Sequence, residues 1–375
     1  MSKETPRIII SGGGTGGHIF PALSIAASIR EICPGAEILF VGAEGKMEME
    51  KVPAAGYRIV GLPVAGLQRR LTASNLLLPF KVWKSVRMAK KIVRTFKPDV
   101  AVGVGGYASA PLLWSASRMG IPTLIQEQNS YAGLTNKILG RRASRICTAY
   151  DGMDKFFPAD RIILTGNPIR KEIKQTTQQD KEEGYNYFKL DPRKKTLLVV
   201  GGSLGCRTLN NSMKRWISAD GTKAGYQVIW QSGGWYNDSI AEFLKKHPAD
   251  NVRNFDFIKR MDLAFAAADV VLSRAGAGTI SELCVAGKAT IFVPSPNVAE
   301  DHQTHNAMAL VRKNAAYMVR DDEAQEKLML KAEELLADDR KRTEFENNIL
   351  ALGRKDAGKT IAEEVLNLIK GQGNE

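Results

Sequence analysis

Twice along this chain an apolar run breaks into a glycine cluster and then gives way to a helix-like run. The first instance is Arg7-Ile-Ile-Ile-Ser-Gly-Gly-Gly-Thr-Gly-Gly-His18, followed by the apolar-periodic stretch Ile19 to Ile32. The second is Thr196-Leu-Leu-Val-Val-Gly-Gly-Ser-Leu-Gly205, followed by Cys206 to Ile217. A glycine turn from strand into helix leaves main-chain N–H groups pointing outward at the positive end of the helix dipole, which suits a phosphate. Two such turns predict two α/β domains that face each other across a phosphorylated ligand.

Strand-like runs alternate with helical patterns nearly throughout. In the first half they are Arg7–Ser11, Ala36–Val41, Arg58–Leu62, Val100–Val104, Thr123–Gln126, Arg145–Thr148 and Ile162–Leu164. In the second half they are Thr196–Val200, Gln227–Gln231, Val252–Phe257, Val270–Ser273, Thr290–Val293 and Ala316–Val319. Such alternation reads as parallel sheets with right-handed crossovers. The expected fold class is α/β: two Rossmann-like, doubly wound sheets, with ligands at the carboxyl ends of the strands. Gly166-Asn-Pro-Ile169 and the polar stretch Lys171 to Asn186 read as a hinge, so domains are expected over residues 1–168 and 169–349. Asp339 to Lys370 reads as helix, and residues from about 350 to 375 are expected to pack back on the first domain.

The composition fits two soluble cores: 375 residues, 44% hydrophobic and 25% charged. No apolar stretch approaches the ~18 residues of a membrane span. Met1 to Pro6 runs straight into the first strand, so no signal peptide is expected. Cys33, Cys147, Cys206 and Cys284 match no metal or disulfide spacing and read as buried thiols in a reducing cytoplasm. A net charge of +13 calls for an anionic partner, and composition alone does not choose among nucleic acid, an anionic membrane and phosphorylated substrates.

Gly12, Gly14 and Gly17 satisfy G-x-G-x-x-G, and Glu44 follows the second strand, so a nicotinamide-dependent oxidoreductase is a fair first reading. Two features weigh against it: the extra glycines ending in His18, and the second phosphate-type loop, which a dinucleotide site leaves unexplained. An arbitrary histidine at a helix start mostly caps or packs. Directly after a loop that must face the ligand, His18 reads better as a general base, with an ordinary pKa of ~6.5. Gly353-Arg-Lys-Asp-Ala-Gly-Lys-Thr360 matches the P-loop pattern literally but follows a helical stretch, and is rejected.

Arg274-Ala-Gly-Ala-Gly-Thr-Ile-Ser-Glu282 sits at another strand-to-helix junction. Its small residues let a ligand approach the backbone, Thr279 and Ser281 can donate, and Glu282 can accept from a vicinal diol. Asp301-His-Gln-Thr-His-Asn306 is a further polar junction. His302 and His305 lack a third ligand, and no Asp-x-Asp triplet occurs, so no metal and no cofactor are inferred. Leu76-Leu-Leu-Pro-Phe-Lys-Val-Trp83, flanked by Arg69, Arg70, Lys84, Arg87, Lys90 and Lys91, suits an interfacial helix on anionic lipid. A core helix with a basic outer face reads nearly as well. Leu77, Phe80, Trp83 and Trp114 are the candidate membrane contacts, and Lys137, Arg141 and Arg142 could join them. Few aromatics interleave with the cations, so nucleic acid is the weaker partner.

Taken in order, Gly13-Gly-Thr-Gly-Gly-His18, Gly103-Val-Gly-Gly-Tyr-Ala-Ser-Ala-Pro111, Gln126-Glu-Gln-Asn129, Gly133-Leu-Thr-Asn136, Gly166-Asn-Pro-Ile-Arg170, Gly201-Gly-Ser-Leu-Gly205 and the 275–282 segment carry a resemblance. The chain resembles the bacterial peptidoglycan N-acetylglucosaminyltransferases of glycosyltransferase family 28, from about Arg7 to the final helix. The resemblance implies a GT-B fold. It also implies inverting, metal-independent transfer from UDP-N-acetylglucosamine to lipid I, giving lipid II, at the cytoplasmic face of the bacterial inner membrane as a peripheral protein. By resemblance, the donor-contacting positions are Thr15, Gly16, Gly17, Asn129, Arg170, Ser203, Ile258, Ala277, Gly278, Thr279, Ile280, Ser281, Glu282 and Gln303. The acceptor-side positions are His18, Tyr107 and Glu127.

The chemistry then needs a base for the acceptor hydroxyl, for which His18 and Glu127 compete, and charge stabilisation for departing UDP. Main-chain N–H groups at Ser203–Gly205, the following helix dipole and Arg170 would supply the latter. Gly14, Gly105 and Gly106 are expected to bind the diphosphate of the lipid-linked acceptor.

Overall fold

The computed structural model describes residues 5–64, 78–219 and 221–371. It divides into two compact units, Met1–Ile169 with Asp356–Glu375, and Arg170–Lys355.

The first unit runs β1 (Arg7–Ser11), α1 (Gly16–Ile32), β2 (Glu37–Ala43), α2 (Glu48–Ala54), β3 (Arg58–Leu62), α3 (Leu78–Phe96) and β4 (Val100–Gly103). It continues with α4 (Ser109–Arg118), β5 (Thr123–Glu127), α5 (Leu134–Gly140), β6 (Arg145–Thr148) and β7 (Ile162–Leu164). The strands form one parallel sheet in the order β3-β2-β1-β4-β5-β6-β7. The isoleucine run of β1 shows why both faces are covered. Ile8 and Ile10 point into a core shared with Ile25 and Ile29 of α1, whereas Ile9 points to the opposite core with Leu112, Leu113 and Val93.

The second unit opens with α6 (Gln178–Phe188) and runs β8 (Thr196–Val200), α7 (Arg207–Ser218), β9 (Gln227–Gln231), α8 (Asn237–Lys246), β10 (Val252–Phe255) and α9 (Met261–Ala267). Then come β11 (Val270–Ser273), α10 (Ala277–Ala286), β12 (Thr290–Phe292), α11 (His302–Val311), β13 (Tyr317–Met318), α12 (Ala324–Ala337) and α13 (Asp339–Ala351). Its parallel sheet has the order β10-β9-β8-β11-β12-β13. Finally α14 (Ala357–Gly371) lies along α1 of the first unit, burying Ile361, Ala362 and Val365 beside Ile25 and Ile29.

Three expectations need correcting. The polar stretch read as a hinge contains α6, started by a Thr177–Asp180 capping box, burying Gly184, Tyr185 and Phe188 and packed on α9 with Gly184 against Leu263 and Ala267. The helix expected over Asp339 to Lys370 breaks in two, with Gly353 lying so close to the Cys284 carbonyl that a Cβ there would sit 2.9 Å from the oxygen. Cys33 is half-buried, whereas burial pushes the thiols of Cys147 and Cys284 up to about 12. Gly353–Thr360 joins two helices and follows no strand, as its rejection as a P-loop requires.

Candidate active site

In the first unit the loops after β1, β4 and β5 are bound to one another at the carboxyl end of the sheet. The Ser109 hydroxyl donates to the carbonyls of Ser11 (3.0 Å) and Gly105 (2.8 Å). Gln128 Nε2 donates to the Val104 carbonyl at 2.8 Å. Gly106, at φ +88°, presses so closely on Gly13 that a Cβ would collide with its carbonyl oxygen. A Cβ on Gly105 would likewise sit 2.7 Å from the His18 ring. These glycines allow close approach, and the approach sets Gly105 against the His18 ring and Gly106, with Tyr107 next in the chain, against Gly13.

His18 lies in the first turn of α1, half-buried, with Nδ1 3.1 Å from the Gly13 carbonyl oxygen and 3.2 Å from Thr15 Oγ1. A carbonyl can only accept, so the Gly13 contact favours the tautomer with its proton on Nδ1 and its lone pair on Nε2. The amides of Gly16 and Gly17, at the positive end of the α1 dipole, have no intrachain acceptor among the described residues. The Gly14 N–H is committed: it donates to Glu48 Oε2 at 3.0 Å.

Glu127 ends β5 and is 1% exposed. One carboxylate oxygen accepts from the Asn129 N–H (3.0 Å) and side-chain amide (3.3 Å). The other accepts from the Gly133 N–H (3.1 Å) and the Asn136 side-chain amide (2.9 Å). Beside it, Gln126 donates to Asn167 at 2.8 Å and Asn167 donates to the Gln128 carbonyl at 3.0 Å. This buried amide network ties Gly166-Asn-Pro to the β5 loop.

In the second unit the loop after β8 carries Gly202 at φ +83° and Gly205 at φ +90°. Gly205 and Gly233 are in such close contact that a Cβ on either would collide with the other's loop. Gln231 stitches the site, donating to the Gly202 carbonyl at 2.9 Å and accepting from the Ile258 N–H at 3.0 Å. The Gly205 N–H closes back on the Gly202 carbonyl at 3.1 Å, whereas the exposed Ser203 and Leu204 have no main-chain acceptor for their N–H groups among the described residues. Arg274 links the starts of α10 and α7, reaching Asp321 at 2.5 Å and Thr208 at 3.4 Å.

Arg170 and Glu282 form a bidentate pair, both bonds 2.6 Å long. Desolvation works against the Arg170 charge, but the Glu282 hydrogen bond and charge hold its pKa above the ordinary guanidinium value. The Ser281 hydroxyl donates to the Ala277 carbonyl at 3.0 Å, inside its own helix. Ala277, Gly278, Thr279 and Ile280 form the first turn of α10. Gln303, in the first turn of α11, accepts from the Ser295 N–H at 2.9 Å.

Elsewhere on the first unit, α3 leaves Phe80 63%, Val82 52% and Trp83 56% exposed. Arg87 lies over Trp83, and Lys90 and Arg118 over Trp114. A cavity of about 150 Å³ beside them is lined by Trp114, Ile138, Arg141 and Arg142. Leu77, with Arg69, Arg70 and Leu76, lies outside the described residues.

Sequence reasoning missed Glu48 and Gln231. A glutamate among Glu44, Glu50 and Lys51 looks like a solvated face. The available signal was Gly42 inside β2, where a Cβ would sit 2.5 Å from Glu48 Cγ.

The pattern of glycosyltransferase family 28 N-terminal domains matches residues 8–148, and that of the family's C-terminal domains matches residues 196–361. The UDP-N-acetylglucosamine--N-acetylmuramyl-(pentapeptide) pyrophosphoryl-undecaprenol N-acetylglucosamine transferase of Parabacteroides distasonis is 53% identical over 367 residues, covering 97% of this chain and 98% of that protein. The crystal structure of MurG from Acinetobacter baumannii superimposes with a TM-score of 0.79 at 27% identity, covering 96% of this chain and 99% of that one. A UDP-N-acetylglucosamine 2-epimerase shares the fold alone, with a TM-score of 0.64 at 15% identity over 97% of this chain and 96% of that one.

Proposed function

The chain belongs to glycosyltransferase family 28, and we infer that it transfers N-acetylglucosamine from UDP-N-acetylglucosamine to the 4-hydroxyl of the N-acetylmuramoyl-pentapeptide of lipid I, giving lipid II. The observation that carries this reaction is the match along nearly the whole chain to a transferase so named. Fold by itself does not choose, because an epimerase acting on the same sugar nucleotide shares it.

His18 takes the acceptor proton on Nε2 as the hydroxyl oxygen attacks the sugar C1, and the C1–O bond to UDP breaks with inversion. The supporting observation is the Gly13 carbonyl oxygen 3.1 Å from Nδ1, an acceptor that favours a proton there and a lone pair on Nε2. Glu127 is the weaker candidate for base. Its four N–H donors suit a residue that orients Asn129 and the 133–136 turn. Departing UDP meets the Ser203 and Leu204 amides, the α7 dipole and Arg170, while Glu282 serves the ribose diol. Thr15, Ile258, Gln303 and the 277–282 turn complete the donor contacts. The Gly14 N–H, expected to bind the acceptor diphosphate, is already committed to Glu48, so Gly16 and Gly17, which the family resemblance put on the donor side, take that role instead beside Gly105, Gly106 and Tyr107.

Phe80, Trp83 and Trp114, ringed by Arg87, Lys90, Arg118, Arg141 and Arg142, dock the first unit on an anionic membrane at its cytoplasmic face. Among the described residues no helix is long and apolar enough to cross a membrane. UDP release measured with lipid I and a panel of UDP-sugars tests the activity. Release only with both lipid I and UDP-N-acetylglucosamine is expected, and acceptor-independent inversion at C2 would replace this reading with an epimerase. Sedimentation with anionic against zwitterionic vesicles tests the docking. Phe80→Asp with Trp83→Asp should abolish co-sedimentation while leaving UDP binding unchanged.

A further inference from the structure

Glu48 is 0% exposed, begins α2, and has no cationic partner among the described residues. Its two oxygens accept from the Ala43 N–H at 2.9 Å and the Gly14 N–H at 3.0 Å. A buried carboxylate is costly to keep and needs a reason. The space for it is cleared by two glycines: a Cβ on Gly42 would sit 2.5 Å from Glu48 Cγ, and one on Gly13 would collide with the carboxylate itself. The amide that donates to Glu48 is the nitrogen half of the peptide group joining Gly13 to Gly14. The carbonyl half of that same group accepts from His18 Nδ1 at 3.1 Å. A single peptide unit therefore stands between carboxylate and imidazole.

We propose that Glu48 is a positioning residue that acts on His18 through the Gly13–Gly14 peptide group. This rests on the reading of His18 as the base. A negative charge at the N–H end of an amide polarises it and makes its carbonyl oxygen a stronger acceptor. The stronger bond fixes the Nδ1–H tautomer, keeps the lone pair on Nε2, and favours the imidazolium formed when the acceptor hydroxyl gives up its proton. The carboxylate itself never exchanges a proton with the ring. The same charge disfavours an anion directly over Gly14.

Tyr107 follows the Gly105–Gly106 turn and is exposed. Glu127 on β5 is held by Asn129, Gly133 and Asn136. α1 carries no titratable side chain between His18 and Arg30. On α2, Glu50 pairs with Lys51 at 3.2 Å. On α14, Lys359 lies 3.9 Å from Glu363, and Glu364 pairs with Arg145 at 3.8 Å.

The experiment compares full-length protein with Glu48→Gln and Glu48→Asp, each checked for folding by thermal melting and by UDP binding. The titration midpoint of His18 is read by ring-nitrogen NMR without substrate, and the pH profile of kcat/KM is read with lipid I. In Glu48→Gln the His18 midpoint and the acid limb of the profile are expected to move down by about half a pH unit or more, with kcat roughly tenfold lower. Glu48→Asp keeps the charge but falls one methylene short, so its His18 midpoint should move down by less than in Glu48→Gln, and this shift from the unsubstituted protein carries the test if Glu48→Gln does not fold. A His18 midpoint unchanged in either folded variant overturns the proposal. His18→Ala is the separate control: full kcat there would remove the base reading, while the NMR midpoints would still decide the coupling.

Discussion

The two glycine loops share a sequence signature and a packing device, yet they rest on opposite chemistry. Each closes by setting glycine against glycine, Gly13 with Gly106 in one unit and Gly205 with Gly233 in the other. Beneath the first lies the Glu48 carboxylate, which takes the Gly14 N–H. Beneath the second lies the neutral amide of Gln231, which donates to the Gly202 carbonyl and takes no N–H from the exposed Ser203 and Leu204. A carboxylate below a loop uses up a donor and repels an anion; an amide that feeds the loop's carbonyl does neither. The Gly14 end of the first loop is thereby suited to holding the base, which leaves an acceptor diphosphate to Gly16 and Gly17 further along, whereas the second loop keeps its exposed end for the donor pyrophosphate.

The sharpest way to break this comparison is His18→Ala. If the first loop serves the base, kcat falls by about 10²–10⁴ while UDP affinity by calorimetry stays within twofold. A comparable loss of UDP affinity would mean that both loops serve the donor.

A smaller and more discriminating effect comes from filling the matching glycines. Both Gly106→Ala and Gly205→Ala place a Cβ at positive φ against a carbonyl, and each should cost roughly 2–4 kcal/mol of stability in chemical denaturation. In the fraction that stays folded, Gly205→Ala should raise the KM for UDP-N-acetylglucosamine about tenfold or more. Gly106→Ala should instead lower kcat with little change in that KM. The reverse pattern would exchange the roles of the loops.

Much of this was legible in the sequence because the constraints were local. A strand such as Ile8-Ile9-Ile10 must bury both faces, and the glycines that follow must turn, so the β-α alternation could be read residue by residue. α6 was not legible, because its buried face is only Gly184, Tyr185 and Phe188 within a polar run. At the site, His18 and Glu282 stood out by their place after glycine turns. Glu48 did not, because its burial depends on Gly13 and Gly42 from other elements, and no spacing rule joins them.

The second unit also buries an unusual charge, but at the far end of its sheet, and this gives the comparison its mildest test. Lys288 precedes β12 and donates to the Ala268 carbonyl at 3.1 Å, at the amino ends of the strands and away from Ser203. Burial pushes its pKa down to about 8, with the Glu346 carboxylate pulling the other way. An unfolded lysine holds its proton to about 10.4. Between about pH 8 and that value the unfolded chain therefore binds more protons, and stability should rise with pH. Below that window both states are protonated and the penalty is constant. Lys288→Met should flatten the alkaline rise and add about 1–3 kcal/mol near neutrality, read from denaturation midpoints across pH. kcat and the KM for UDP-N-acetylglucosamine should not move. If they do, the buried charge of the second unit reaches its glycine loop after all, and the contrast with Glu48 is one of distance rather than of kind.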